Sequence, residues 1–126
     1  MNILIIDDEP IIGELFKRSL SEQGHDITTC VKGVQSLDII SNQSFDLIFL
    51  DLMLPDLGGI EVFKHIRRVD EKIPVVIITG LYESDLVNQV MTLGPFMVLK
   101  KPFTITTINS IVSILAIGQQ ARVDVR

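Results

Sequence analysis

Residues 45–59 read FDLIFLDLMLPDLGG, and this stretch decides the fold. Leu47-Ile48-Phe49-Leu50 is an apolar run of the length and type of a strand buried on both faces. It ends on a carboxylate, Asp51. Leu52-Met53-Leu54 continue apolar, and Pro55, Gly58 and Gly59 then break regular structure. An acid at the carboxyl end of a buried parallel strand, followed by a loop, lies where open α/β sheets place their ligands.

The pattern repeats on either side. Ile3 to Ile6 forms a first apolar run and ends on Asp7, Asp8 and Glu9. Pro10 suits the first turn of a helix, with Ile12, Leu15, Phe16 and Leu20 on its apolar face and Gly24 as its stop. Ile27 to Val31 reads as a second strand, and Val34, Leu37 and Ile40 as one side of a second helix. After Gly59, the spacing of Ile60, Phe63 and Ile66 predicts a third helix. Val75 to Ile78 is a fourth strand, ending on Thr79-Gly80. A helix over Tyr82 to Leu93 follows, with Leu86, Val90 and Leu93 on one stripe and Val87 and Met91 beside it. Phe96 to Leu99 is a fifth strand, ending on Lys100-Lys101-Pro102. The last helix spans about Thr104 to Ile117, with Ile105, Ile108, Val112 and Leu115 inward and Gly118 as its end. Residues 1–118 are thus read as one domain and residues 119–126 as a C-terminal tail.

Five βα units imply a parallel sheet with helices on both faces. Right-handed crossovers bring every strand's carboxyl end to one edge. Asp7, Asp8, Asp51, Thr79 and Lys101 meet there.

Composition bounds the function. The 126 residues are 47% hydrophobic and 21% charged, with 11 Lys+Arg against 16 Asp+Glu and a net charge of -5. That suits a single globular domain and argues against direct nucleic-acid binding, which calls for a basic patch. One cysteine, Cys30, excludes an internal disulfide and fits a reducing compartment. The N-terminus lacks the basic region of a signal peptide. No stretch reaches the ~20 apolar residues of a membrane span. A cytoplasmic location, with no membrane contact, is the expectation.

Carboxylates this close are costly. Two unit charges ~4 Å apart repel by about 4 kcal/mol at an effective dielectric of about 20. A hard divalent cation relieves this, and a site that is only partly protein-lined suits Mg²⁺, with Mn²⁺ as a substitute. Neither His25 nor His65 lies at a strand end, which disfavours zinc. Asp51, Thr79 and Lys101 beside such a cation suit phosphoryl transfer. The transferred group spreads charge over three oxygens, and an in-line aspartate can form an aspartyl phosphate.

The strings ILIIDDEP, LIFLDLMLPDLGG, VVIITG and LKKPF, in this order and spacing, resemble the receiver domain of two-component response regulators, the CheY-like superfamily. The resemblance covers Met1 to about Ile117. It implies a flavodoxin-like (βα)5 three-layer sandwich with a parallel five-stranded sheet in the order 2-1-3-4-5. It implies that Asp51 accepts a phosphoryl group from the phosphohistidine of a sensor histidine kinase or histidine phosphotransferase. Asp8, Asp51 and the Met53 backbone carbonyl would bind Mg²⁺, and Asp7 would act through a water. Thr79 and Lys101 would contact the phosphoryl group, and Lys101-Pro102 would be a cis bond. Such a protein switches an interaction surface and catalyses its own phosphorylation without being a turnover enzyme. It stands alone or forms part of a longer DNA-binding regulator or hybrid kinase.

Two features depart from the pattern. Val98 stands where an aromatic ring usually couples to the threonine, and Gly58 where Asp is common. The last helix is also unusual, because Phe103 to Ala121 carries no charge. Ile111, Ile114 and Ile117 are read on or near its outer face, either as scattered apolar residues or as a contact patch for a second copy or a partner.

Three other readings fit less well. A Mg²⁺-dependent phosphohydrolase usually carries an acid two residues after the nucleophile, where Met53 stands. A flavin-binding module needs a loop without acids after the first strand. A receiver-like domain that no longer takes phosphate would lack some of these side chains, and all are present.

Overall fold

The computed structural model describes residues 1–80 and 85–124. Its elements alternate as β1 (Asn2–Ile6), α1 (Pro10–Ser21), β2 (Asp26–Cys30), α2 (Gly33–Asn42), β3 (Leu47–Asp51), α3 (Gly59–Val69), β4 (Val75–Thr79), α4 (Asp85–Met91), β5 (Met97–Lys100) and α5 (Ile105–Asp124). The five strands form one sheet in the order β2-β1-β3-β4-β5, and every neighbouring pair is parallel. The parallel pairing is what the alternation of runs predicts, and the strand order is the flavodoxin-like one that the family resemblance implies.

Successive residues of a strand face opposite sides of the sheet, and the core divides accordingly. Leu4, Ile6, Ile48, Leu50, Val75 and Ile77 pack with Val62, Phe63 and Ile66 of α3 and with Val90 of α4. Ile3, Ile5, Leu47, Phe49, Val76 and Ile78 pack with Phe16 and Leu20 of α1 and with Ile108 and Val112 of α5. Phe16 meets Phe49 edge to face at 4.9 Å. β3 and β4 are buried along their whole length, which is why they appear in the sequence as unbroken apolar runs.

Several sequence expectations are corrected. Strands β2 and β5 lie one residue away from the runs that announced them, so Val31 and Phe96 fall outside the sheet. Leu15 and Val34 are exposed rather than inward. In α1 the inward residues are Gly13, Phe16 and Leu20. A Cβ on Gly13 would come within 3.0 Å of Thr29 Cγ2, so the glycine sets how closely α1 meets β2. That seating turns Ile11 and Leu15 outward. Met91 is likewise exposed.

Helix α5 does not end at Gly118 but runs on to Asp124. A glycine inside a helix costs about 1 kcal/mol relative to alanine and terminates it only with help. Gly24 and Gly94 do take the left-handed conformation, with φ of 88° and 71°. Ile111 is buried, whereas Ile114 and Ile117 are exposed. Ile111 follows Ile108 by three and precedes Leu115 by four, so it belongs to the inward stripe. The predicted helix start at Tyr82 lies outside the described residues.

Candidate functional site

The carboxyl ends of β1, β3 and β4 and the turn after β5 converge as the topology requires. Asp7 follows Ile6, whose register partner on β3 is Leu50. Asp51 closes β3 opposite Ile78, one position before Thr79, and Thr79 pairs with Lys100. Carboxylate oxygens of Asp7, Asp8 and Asp51 all lie within 4.8 Å of one another. Asp7, Asp51 and Thr79 are buried and Asp8 is exposed.

Lys101 reaches into this group. Its Nζ donates to Asp51 Oδ2 at 3.0 Å and to Glu9 Oε1 at 2.9 Å. It also lies 3.1 Å from Asp7 Oδ2. That third contact is close enough to be an ion pair but lacks hydrogen-bonding geometry, so Asp7 Oδ2 is a buried oxygen without a hydrogen bond. The turn holding Lys101 is fixed by its own amide, which donates to the Thr79 carbonyl at 2.8 Å. The Lys101-Pro102 bond is cis.

Local backbone geometry orients the acids. The Glu9 amide donates to Asp7 Oδ1 at 2.9 Å, and the Met53 amide donates to Asp51 Oδ1 at 2.9 Å. Behind Asp51 the chain turns tightly. The Gly59 amide donates to the Leu52 carbonyl at 3.0 Å. A Cβ on Gly59 would lie 2.6 Å from both the Asp51 carbonyl oxygen and Leu52 Cα. Only glycine fits there, so Gly59 fixes the backbone that presents Asp51.

The charges are unbalanced. Burial pushes the Asp7 carboxyl above its ordinary range, against the Glu9 amide and Lys101, which favour ionisation; the Asp51 charge adds to the rise. Burial alone would lower the Lys101 ammonium, but its partners Glu9, Asp51 and Asp7 outweigh this and hold it above its usual value. Three carboxylates whose oxygens lie within 4.8 Å of one another, one of them buried with an oxygen lacking a hydrogen bond, suit a hard divalent cation.

All five residues predicted to meet at this edge do lie at it. Val98, on β5 opposite Ile77, is partly buried against the core on the α2–α3–α4 side. Two contacts were not legible in the sequence. Glu9 was visible as the third acid of its run, but its partner lies 92 residues away. Asp56, between Pro55 and the two glycines, accepts the amides of Gly33 and Val34 at 2.8 and 3.0 Å. No periodicity in the loop announces that link.

The chain belongs to the response regulator receiver domain family, whose model matches residues 3–113. It is 34% identical over 110 residues to sporulation initiation phosphotransferase F of Bacillus subtilis, covering 87% of this chain and 89% of that protein. It is also 34% identical over 105 residues to the transcriptional regulatory protein MalR of the same organism, covering 82% of this chain but only 45% of MalR. Among solved structures, the Francisella response regulator 1452 receiver domain superposes with a TM-score of 0.81 at 31% identity, over 90% of this chain and 94% of that one. The Thermotoga maritima response regulator TrrA, solved in complex with Mg(2+)-BeF, gives 0.78 at 29% identity, over 90% and 97%. Receiver domains are phosphoacceptors of two-component signalling rather than turnover enzymes. Among the described residues, no helix is long and apolar enough to cross a membrane.

Proposed function

We propose that Asp51 accepts a phosphoryl group from the phosphohistidine of a sensor histidine kinase or histidine phosphotransferase, and that the modified domain switches a protein-interaction surface. The observation that carries this reading is the contact of Lys101 Nζ with Asp51 Oδ2 at 3.0 Å, beside the carboxylates of Asp7 and Asp8. An Asp51 oxygen forms the new O–P bond as the P–N bond to the donor imidazole breaks. The imidazole leaves with the bonding electron pair and takes up a proton. Lys101 and the Thr79 hydroxyl receive charge on the phosphoryl oxygens, and the chain itself catalyses this step and the later loss of the group to water.

Asp8, Asp51 and the Met53 backbone carbonyl would hold Mg²⁺, or Mn²⁺ in its place, with Asp7 acting through a water. The cation neutralises charge on the phosphoryl oxygens when bound. The Asp7 oxygen that has no hydrogen bond supports this assignment.

Residues 1–118 form the receiver unit, and residues 119–126 follow it as an extension into which α5 continues. The receiver unit works in the cytoplasm and itself contacts neither nucleic acid nor membrane. The partial coverage of MalR, a transcriptional regulatory protein, supports a second arrangement, in which this receiver is one part of a longer DNA-binding regulator. The exposed Ile114 and Ile117 offer an uncharged face to a second copy or a partner.

Incubation with a small phosphoryl donor, with and without Mg²⁺, tests the reading by intact mass. One added phosphate on wild type, dependent on the cation and absent from Asp51→Asn, is expected. An unchanged mass, or equal addition to both proteins, would overturn it.

A further inference from the structure

Glu9 occupies the N-cap of α1, with φ −88° and ψ 106°, yet its side chain makes no hydrogen bond to the helix amides. Short polar side chains are the ones that cap well. The Glu9 carboxylate instead crosses to Lys101, making the shortest of the three contacts on that ammonium. Its backbone is also engaged, since the Glu9 amide donates to Asp7 Oδ1. One residue therefore touches both an acid of the cation cluster and the lysine beside the acceptor. Pro10 follows at the first helical position and restricts the chain as it leaves.

The three partners of Lys101 are not equivalent. Asp7 and Asp51 belong to the group of carboxylates that would face a cation, and Glu9 does not. When a cation engages Asp51 directly and Asp7 through a water, Glu9 is the one partner of Lys101 that the cation does not draw on. Without it a lysine side chain, with four rotatable bonds, is free to sample solvent.

We propose that Glu9 is a positioning residue for Lys101: its carboxylate holds the ammonium at the rim of the loaded site, where it meets the oxygens of the incoming phosphoryl group. This rests on the reading of Asp51 as phosphoacceptor. The Glu9 side chain is half exposed, and exposed ion pairs add little to stability. Its contribution is therefore to the reaction and not to the fold.

The test uses the full chain as wild type, Glu9→Ala, Glu9→Gln, Lys101→Ala and the Glu9→Ala/Lys101→Ala double variant. Thermal melting checks that each folds, and none is expected to lose its cooperative transition. The first readout is the NMR signal of the Lys101 Cε–Hε group with and without Mg²⁺. In wild type it stays distinct from free lysine on adding Mg²⁺, whereas in Glu9→Ala it moves to the free-lysine position. The second readout is the rate of phosphate gain from acetyl phosphate at saturating Mg²⁺. Glu9→Ala is expected to slow it on the order of tenfold, and Glu9→Gln, which keeps an acceptor, less. The half-saturating Mg²⁺ concentration changes little. In the Lys101→Ala background, removing Glu9 has no further effect.

Identical Lys101 signals in wild type and Glu9→Ala would overturn the proposal, as would a rate within twofold of wild type. So would an equal loss on removing Glu9 with Lys101 already gone. If wild type is phosphorylated and Glu9→Ala matches it, only this inference falls. If wild type takes no phosphate, the reading of Asp51 falls with it.

Discussion

The Asp56 carboxylate accepts the Gly33 amide at 2.8 Å and the Val34 amide at 3.0 Å, binding the loop that leaves β3 to the first turn of α2. The fit is close, because a Cβ on Gly33 would lie 2.8 Å from Leu57 Cβ. The loop that starts after Asp51 is thus anchored at its far end on a neighbouring helix.

This anchor is sensitive to acid. The amides of Val34 and Gly33 hold the Asp56 carboxyl below its ordinary value of 3.8. A depressed folded-state value stabilises the fold fully above 3.8, and the contribution is lost as pH falls through the lower folded value. Asp56→Asn should lower the melting temperature at neutral pH and flatten its fall in acid. Melting curves recorded from neutral pH downward check this; parallel curves for the two proteins would contradict it.

Asp7 carries the opposite sign. Its carboxyl is raised by burial, so the stability it contributes is present below the ordinary aspartate value and is lost as pH rises through the folded value. Ionised Asp7 is therefore a cost at neutral pH when no cation is bound. Asp7→Asn should raise the stability of the metal-free protein at neutral pH relative to wild type. It should also reduce the further rise that Mg²⁺ gives wild type. Calorimetry with chelator and then with Mg²⁺ reads both effects.

Adjacent glycines should behave differently. Gly59→Ala places a Cβ against the Asp51–Leu52 backbone, which has little freedom to move, and should cost about 1–3 kcal/mol as an overpacking change. It should also slow phosphate uptake, because the displaced backbone carries Asp51, the proposed acceptor. Gly58→Ala meets open space and should leave both nearly unchanged. Denaturant unfolding of the two variants decides between them.

The outer face of α5 gives a fourth expectation. Ile114 and Ile117 are exposed, whereas Ile111 is in the core. Ile114→Glu should fold normally and reduce self-association or partner binding, whereas Ile111→Glu should lose several kcal/mol by burying a charge. Light scattering that shows the same mass for wild type and Ile114→Glu, with unchanged partner binding, would remove this face from consideration.

Most of the fold and the site's composition were legible in the sequence because β3 and β4 are covered on both faces. Their apolar runs are unbroken, and their ends are marked by Asp51 and Thr79. Parallel topology then brings those ends to one edge, and the strand order implied by the family resemblance makes β1, β3 and β4 neighbours there. What was not legible depends on distances between elements. The seating of Gly13 on Thr29 rotates α1 and turns Leu15 outward, which helical spacing alone does not reveal. Ile111 and Ile114 look alike in an uncharged stretch of helix, and only the packing of Ile111 into the core shared by α1, α5 and the sheet separates them. The partners of Glu9 and Asp56 lie on other elements, so neither contact leaves a local pattern.

The most direct test of the account is to find which side chain carries the phosphorus. After incubation with acetyl phosphate and Mg²⁺, borohydride reduction converts an aspartyl phosphate to homoserine, which peptide mass spectrometry locates. Homoserine at position 51 alone is the result predicted. Homoserine at position 7 or 8, or at none, would contradict it.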